Sequence, residues 1–199
     1  MGTEISSKDR LKQYLQSITP ELPSKVMDEY LAHWEEKSYD RKTVMTAAGA
    51  IQQHLLFVLE GIQRSYFLHE GKEHVMAFTF APSFSGIPES FFAQSPSRYF
   101  LESVTPTRVL QISYTQHQQQ ISKHRPLETL FRVATERILG GLVERHHELM
   151  ALDIETRLRN FLQRSPHLLN QIPHKEIASY LRMDPTNFSK LLNKVKILV

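Results

Sequence analysis

The spacing of apolar residues changes along the chain, and this change constrains the fold more than any other feature. From about Lys37, aromatic and β-branched residues recur with a period of two and are interrupted by Gly or Pro at short intervals, as in IQRSYFLHEGKEHVMAFTF. From Leu127 to Leu152 the period is that of a helix. The pattern therefore predicts an α+β fold in which a compact antiparallel roll or barrel precedes a long helix.

Shorter signals add detail to this outline. Residues 8–35 have helical spacing that is interrupted by Pro20 and Pro23. Glu70-Gly71 predicts a tight turn between two strands, and GIPESFFAQ predicts a short helix inserted in the roll.

The long helix predicts a dimer. Its apolar residues form one stripe over roughly 25 residues, and a helix of that length in a chain this small is expected to project and to need a partner. We predict a homodimer, the alternative being that the helix lies on its own sheet domain. The predicted interface residues are Leu130, Ala134, Ile138 and Leu142.

Asp153 marks the next boundary because it has the character of an N-cap that begins a new helix, IETRLRNFLQRS. The predicted domains are residues 1–125, the roll with its preceding helices; residues 126–152, the dimerisation helix; and residues 153–199, a small helical unit.

The last of these units has the pattern of a helix-turn-helix. IPHKEIASYLRMDPTNFSKLLNKVK, residues 172–196, predicts two short helices separated by the joint Arg182-Met183-Asp184. Asp184 followed by Pro185 is an N-cap with a first-turn proline. Small and apolar residues then face inward on both helices, and the small Ala178 allows the helices to cross closely.

The polar side of the second helix is the predicted DNA-binding surface. Asn can bond adenine bidentately, and Lys can contact guanine or phosphate. Residues 153–199 carry eight Lys and Arg against four Asp and Glu, a net charge of +4, which favours a polyanionic partner. The predicted DNA-binding residues are Lys175, Thr186, Asn187, Ser189, Lys190, Asn193 and Lys194.

With this order of elements, the chain resembles the Crp/Fnr family of bacterial transcription regulators over nearly its whole length. The resemblance is carried by Gly61 in LFVLEG and by the segments EGKEHVMAFTFAPSF, VLQISY, ETRLRNFLQRS and IPHKEIASYL. It implies a jelly-roll-like sensor of the cyclic-nucleotide-binding type, a dimerisation helix and a small all-α helix-turn-helix domain. It also implies a dimeric regulator that binds near-palindromic promoter DNA and contacts RNA polymerase.

The chain departs from the family pattern in the DNA-binding unit. Arg182 stands at the joint where the family commonly has Gly, and a left-handed Arg there would cost about 1–2 kcal/mol. Lys190 stands where the family often has Arg, so a point charge replaces a bidentate fork. Only Ile197-Leu198-Val199 follow Lys196, so the chain is similar to the family's short, wingless members.

The segment FSGIPESFFAQSPSRYF, residues 84–100, matches the family's ligand cassette, whose counterparts here are Gly86, Ile87, Glu89, Ser90, Ser97 and Arg98. In nucleotide-binding members a Glu follows the Gly, and an Arg followed by Ser or Thr holds the phosphate. Here Ile87 follows Gly86, and Arg98 is displaced by one place, which in a strand means the opposite face. The sequence therefore predicts a recut or closed pocket that does not bind cAMP or cGMP in the usual way.

No cofactor or metal is expected. The chain has no Cys, which excludes a cysteine-bound iron–sulfur cluster. We interpret His69, His74, His117 and His124 as solvated surface residues. His146 and His147 are adjacent on a helix and point about 100° apart, so they cannot chelate one ion well.

The remaining expectations concern location and competing functions. No stretch approaches the roughly 18 apolar residues of a membrane helix, and the N-terminus lacks a secretion signal, so we expect a cytoplasmic protein without a membrane partner. The alternative function is a ligand- or protein-binding module whose helix-turn-helix makes protein contacts only. An enzyme is the weakest option because no catalytic motif is present, and no catalytic residue is predicted.

Overall fold

The computed structural model describes residues 5–196 and contains two four-stranded sheets and eight α-helices in that part of the chain. Helices α1 and α2 precede the sheets, α3 is inserted between strands, and α4–α8 follow them. The strands are β1 Glu35–Tyr39, β2 Val44–Thr46, β3 His54–Glu60, β4 Ile62–His69, β5 Lys72–Phe80, β6 Ser83–Ser85, β7 Phe100–Ser103 and β8 Thr107–Ser113. The helices are α1 Ser7–Ile18, α2 Ser24–Ala32, α3 Pro88–Ala93, α4 Tyr114–Lys123, α5 Arg125–Ala151, α6 Ile154–Arg164, α7 His174–Tyr180 and α8 Pro185–Lys196.

The predicted α+β class is confirmed. The strand orders are β1-β8-β3-β6 in one sheet and β2-β7-β4-β5 in the other. The pairs β1–β8, β3–β8, β3–β6 and β2–β7 are all antiparallel. The predicted two-residue turn is also present: Glu70 and Gly71 have φ values of 50° and 73°, the positive values that a tight hairpin with matching twist requires.

Side chains from both sheets fill the space between them. Leu56 and Val109 come from the first sheet and Leu101 from the second, and they form one buried cluster with Ile87, which precedes α3. Tyr39, Met45 and Tyr99 pack against this cluster. The inside of the roll is therefore an apolar core, built from the period-two alternation of the strands.

The outer face of the first sheet is covered by helices. Phe57, Leu59, Leu110 and Ile112 from β3 and β8 share a second buried cluster with residues of α1, α2 and the beginning of α5. Leu127, Leu130 and Ala134 of α5 belong to this cluster, and Leu130 is fully buried.

The placement of these α5 residues corrects the predicted dimer interface. Leu130 and Ala134 pack against the roll of their own chain, as the alternative interpretation of the long helix proposed, and cannot also face a partner helix. Ile138 and Leu142, one and two turns further on, are 51% and 59% exposed. The beginning of the apolar stripe therefore packs against the roll, and its continuation is exposed to solvent.

The chain divides into two compact units. The first consists of residues 1–65 and 78–137, and the second consists of residues 66–77 and 138–199. In the second unit the tip of the β4–β5 hairpin lies against α7: the backbone N–H of Val75 donates to Ser179 Oγ at 3.0 Å, and Ser179 Oγ donates to Glu73 O at 3.3 Å.

Short-range caps define the helices of the second unit. Asp153 accepts from the backbone N–H of Thr156 at 2.9 Å, which confirms it as the N-cap of α6. Asp184 Oδ1 accepts from the N–H groups of Thr186 at 2.8 Å and Asn187 at 3.2 Å and so caps α8. Arg182 at the joint has φ 54°, the predicted left-handed conformation. None of the helices in residues 5–196 is long and apolar enough to cross a membrane.

Gly61 provides a test of this packing. It has φ +86°, and a Cβ at this position would lie 2.3 Å from Pro106 O and 2.6 Å from Thr107 Oγ1. Gly49 has the same φ but nothing within 4 Å of its would-be Cβ. We expect Gly49→Ala to lower the free energy of unfolding by about 1–2 kcal/mol from backbone strain alone, and Gly61→Ala to lower it by at least about 3 kcal/mol.

Urea denaturation of the two variants and the wild type measures this difference. Equal losses of unfolding free energy in the two variants would show that Gly61, just before β4, does not approach residues 106–107 as closely as described.

Candidate nucleic-acid interface and ligand cassette

Helix α8 presents a polar face to solvent because most of its apolar residues point the other way. Phe188, Leu192 and Val195 are buried with Ile177, Ala178 and Leu181 of the neighbouring helices and joint. Their spacing leaves the other positions of α8 outside. The predicted DNA-binding residues Lys175, Thr186, Asn187, Ser189, Lys190, Asn193 and Lys194 are all exposed.

The joint between α7 and α8 is held by its backbone as well as by the Asp184 cap. Arg182 N–H donates to Ser179 O at 3.0 Å, and Met183 N–H donates to Ala178 O at 2.9 Å. The Met183 side chain is buried. These contacts fix the angle at which α8 leaves α7, so the polar face has a defined orientation within its unit.

The exposed polar side chains differ in how they are engaged. Ser189 Oγ donates to the Pro185 carbonyl of its own helix at 3.1 Å, and Lys194 forms an ion pair with Glu155 Oε2 at 3.0 Å. Within residues 5–196, Lys190 and Lys175 have no ion-pair partner. These two cations are therefore available to an external anion.

A groove of about 620 Å³ separates the beginning of α6 from one flank of α8. Its walls combine apolar residues with charged ones. The lining residues are Asp153, Ile154, Glu155, Arg157, Met183, Asn187, Lys190, Leu191 and Lys194. Three of them, Asn187, Lys190 and Lys194, belong to the predicted DNA-binding set. These three residues are exposed to solvent and also line the groove opposite α6.

A buried carboxylate connects three helices of this unit. Glu148 on α5 accepts from both terminal nitrogens of Arg164, at 2.7 and 2.9 Å, and from Asn160 Nδ2 at 3.3 Å. Burial raises the pKa of Glu148, but the hydrogen bonds and charge of Arg164 outweigh burial, and the net pKa is below its usual value. Arg145, which also contacts Glu148, lies over the Tyr180 ring at 4.0 Å and donates to the Tyr180 carbonyl.

The residues of the predicted ligand cassette are not gathered around a common point. Ile87 is buried in the core between the sheets, whereas Glu89 and Arg98 are exposed. Ser90 Oγ accepts from Gln52 N–H at 3.0 Å and donates to Ser95 O at 2.6 Å. Ser97 Oγ accepts from Tyr99 N–H at 2.9 Å. The hydroxyls of Ser90 and Ser97 are thus hydrogen-bonded to backbone groups of the chain.

Gln52 borders the cassette, and sequence reasoning did not identify it. Its backbone N–H donates to Ser90 Oγ in the cassette. Its side chain bonds residues outside the cassette: Nε2 donates to His54 O at 2.7 Å, and Oε1 accepts from Thr46 Oγ1. A Cβ at Gly86, where φ is +145°, would lie 3.6 Å from Gln52 Nε2. Nothing in the local sequence indicates the link between Gln52 and Ser90, which are 38 positions apart.

One of the four histidines interpreted as solvated is placed differently by the structure. His117 is fully buried, with its ring 4.6 Å from that of Phe131 and 5.6 Å from that of Phe91. Its Nδ1 is hydrogen-bonded to Tyr30 Oη at 2.8 Å. Burial lowers the pKa of His117 to about 4, so the ring is neutral at physiological pH. Among the described residues, no group of three or more possible ligands is arranged to hold a metal.

The middle of α5 carries the exposed apolar residues of the long helix. Ile138 and Leu142, and Leu139 and Val143, are pairs four residues apart, so they lie along the helix as neighbouring rows. Met150 extends the surface towards the end of α5 and is 75% exposed. Gly140 and Gly141 follow Leu139 in the sequence, and a Cβ at either glycine would meet nothing within 4 Å.

Comparison with solved structures identifies the fold. FixK2 from Bradyrhizobium japonicum matches with a TM-score of 0.72 at 16% identity, over 83% of this chain and 85% of that one. The c-di-GMP-responsive global regulator CLP from Xanthomonas campestris matches with a TM-score of 0.66 at 19% identity, over 88% and 92%. The catabolite activator protein of Thermus thermophilus matches with a TM-score of 0.55 at 20% identity, over 90% and 86%.

Neither a protein-family sequence model nor a curated protein sequence matches the chain. The structural neighbours are regulators of the Crp/Fnr type, and they confirm that the fold is the one this family uses: a cyclic-nucleotide-binding-like roll, a long helix and a small helical unit.

Proposed function

We propose that this protein is a dimeric, sequence-specific DNA-binding transcription regulator of the Crp/Fnr type. The observation that carries the proposal is the face of α8, which exposes six polar residues on a helix whose orientation is set by the Arg182 joint and the Asp184 cap. The similarity to a global regulator in Xanthomonas campestris supports the same class. A regulator rather than an enzyme also agrees with the absence of a catalytic motif from the sequence.

The chemistry of α8 fits the major groove of duplex DNA. Asn187 can donate to and accept from an adenine edge, and Lys190 can reach guanine O6 and N7. Lys175 begins α7 and is suited to a phosphate, which would position the unit without contributing to base choice. The proposed partner is promoter DNA with a near-palindromic site, and RNA polymerase is the proposed protein partner of the assembled complex.

A second copy of the chain is the proposed partner of α5. The exposed residues Ile138, Leu139, Leu142, Val143 and Met150 form a surface that a symmetric copy would bury. A two-fold axis along this surface would present two α8 helices to successive major grooves, about 34 Å apart. Ile138 and Leu142 remain in the proposed interface, and Leu139 and Val143 replace Leu130 and Ala134.

We also propose that the roll does not bind cAMP or cGMP through the usual charge-assisted contacts. The apolar cluster of Leu56, Ile87, Leu101 and Val109 fills the region between the sheets. Arg98 is exposed, and its guanidinium lies near the Tyr99 ring, 5.5 Å from the centroid. A phosphate held by Arg98 would therefore lie outside this core, and the buried Ile87 offers no acceptor to a ribose hydroxyl.

The first test concerns nucleotides. Calorimetry with cAMP and with cGMP is expected to show no binding at micromolar concentration, because Arg98 is exposed and gives the anionic phosphate no buried charge-assisted contact. The Arg98→Ala variant serves as the control. Micromolar binding that disappears in this variant would show that the cassette holds a phosphate after all.

The second test concerns the dimer. Ile138→Glu is expected to shift the protein towards monomer at tens of micromolar in sedimentation equilibrium, because a carboxylate would be buried in the apolar interface. Ala151→Glu adds the same charge at an exposed position of α5 outside the rows described above, and it should leave the oligomeric state unchanged. A wild-type monomer, or a dimer indifferent to Ile138→Glu, would contradict the proposed interface.

The third test concerns DNA. Lys190→Ala is expected to weaken binding to the selected site by roughly 1–3 kcal/mol and to relax base preference there, since it removes a base-contacting side chain. Lys175→Ala should weaken all sequences about equally and reduce the salt slope by about 1.

Selection of bound fragments from genomic DNA, repeated with both variants, measures these effects. A sequence preference that survives Lys190→Ala would remove Lys190 from the base-contacting surface. Binding that is weak and insensitive to salt would instead favour the alternative function, in which the helix-turn-helix makes only protein contacts.

A further inference from the structure

Lys194 is engaged differently from the other two lysines of the proposed DNA-binding set. Its Nζ lies 3.0 Å from Glu155 Oε2, across the groove between α8 and α6. Lys190 and Lys175 have no such partner within residues 5–196. One cation on the exposed face of α8 is therefore neutralised by a carboxylate of its own chain.

Glu155 is held in place from its other side. Its Oε1 accepts from Arg159 Nη2 at 2.7 Å and from Arg159 Nε at 3.3 Å, a contact four residues along the same helix. Hydrogen bonds from Arg159 and Lys194 lower the pKa of Glu155, so the carboxylate is charged at neutral pH. Asp153, the other carboxylate of the groove wall, accepts instead from the backbone N–H and the hydroxyl of Thr156.

In the Glu155–Lys194 ion pair, a DNA phosphate could replace Glu155 as the acceptor of Lys194. The two side chains are 34% and 64% exposed, and an ion pair with this exposure contributes little net stability in water. A DNA phosphate offers Lys194 the same kind of oxygen acceptor as Glu155 does. To bind that phosphate, however, Lys194 must leave Glu155, and the freed carboxylate would remain in the groove beside polyanionic DNA.

We propose that Glu155 occupies the place of a DNA phosphate on Lys194 and thereby lowers the affinity of this protein for non-specific DNA. The inference rests on the proposed function and adds a residue that sets the strength of phosphate binding without itself contacting bases. Non-specific complexes depend almost entirely on phosphate contacts, so withholding one cation removes a larger share of their binding free energy than of the binding free energy of complexes that also contact bases.

The proposal makes the contribution of Lys194 to DNA binding depend on the charge of Glu155. The test measures binding of the full chain to a short duplex of random sequence by fluorescence anisotropy, from about 50 to 200 mM KCl. Five proteins are compared: the wild type, Glu155→Gln, Lys194→Ala, the Glu155→Gln/Lys194→Ala double variant and Lys190→Ala. Glu144→Gln is the matched control, because it removes one exposed carboxylate of the same unit, whose ion pair with His147 has an N···O distance of 3.9 Å.

Glu155→Gln is expected to tighten binding to the random duplex by roughly 3- to 10-fold at the lower salt concentrations and to steepen the slope of log K against log salt by about 0.9, the value for one additional phosphate. Lys194→Ala alone should weaken binding to the random duplex by less than Lys190→Ala does, because Glu155 already withholds the Lys194 charge, and the double variant should match Lys194→Ala. Thermal denaturation establishes that each variant is folded.

Three outcomes would overturn the inference. Lys194→Ala alone could weaken binding and flatten the salt slope as much as Lys190→Ala does, which would mean that Lys194 already contacts phosphate. The gain of Glu155→Gln could persist in the double variant, which would assign the effect to Arg159. That gain could also equal the gain of Glu144→Gln, which would assign the effect to net charge. Failure of all six proteins to bind any duplex is a different result, because it would overturn the proposed function itself.

Discussion

The carboxylate of Glu148 is the interaction on which the C-terminal unit depends. Two arginines and an asparagine surround it, and one of them, Arg145, continues to the ring and carbonyl of Tyr180. Helices α5, α6 and α7 are thus joined through one buried charge. Removing one partner from a buried ion pair typically costs about 3–5 kcal/mol because the other charge remains desolvated. The orientation of α8, which follows α7 through a fixed joint, therefore rests on Glu148 and on the joint together.

The features that the sequence predicts well are those that depend on a few neighbouring residues. The caps at Asp153 and Asp184 use hydrogen bonds to residues two or three positions ahead. The left-handed Arg182 and the Glu70-Gly71 turn are likewise fixed by local backbone geometry. The roll followed from period-two alternation, and the long helix followed from period 3.6, because each period matches the geometry of one backbone conformation.

Features that depend on distant segments could not be predicted in the same way. Leu130 and Ile138 occupy equivalent places in one apolar stripe, and only the path of α5 across the roll determines that the first is buried and the second exposed. His117 lies among polar neighbours in the sequence, yet Tyr30 and Phe131, 87 and 14 positions away, help to enclose it. The backbone of Gln52 meets the cassette at Ser90, 38 positions away, and no local pattern connects the two residues.

The two units differ in whether their polar side chains are hydrogen-bonded within the chain or exposed to solvent. In the cassette, the hydroxyls of Ser90 and Ser97 and the amide of Gln52 are already hydrogen-bonded within the chain, and apolar residues fill the space between the sheets. An external ligand there would have to displace contacts that are already made, which opposes its binding. On α8, Lys190 and most of its polar neighbours point into solvent, where a ligand replaces only water. We therefore propose that recognition by the described part of the chain is concentrated on α8. Glu155 accepts from Lys194 on this face, and in the proposed complex it would compete with a DNA phosphate for that lysine.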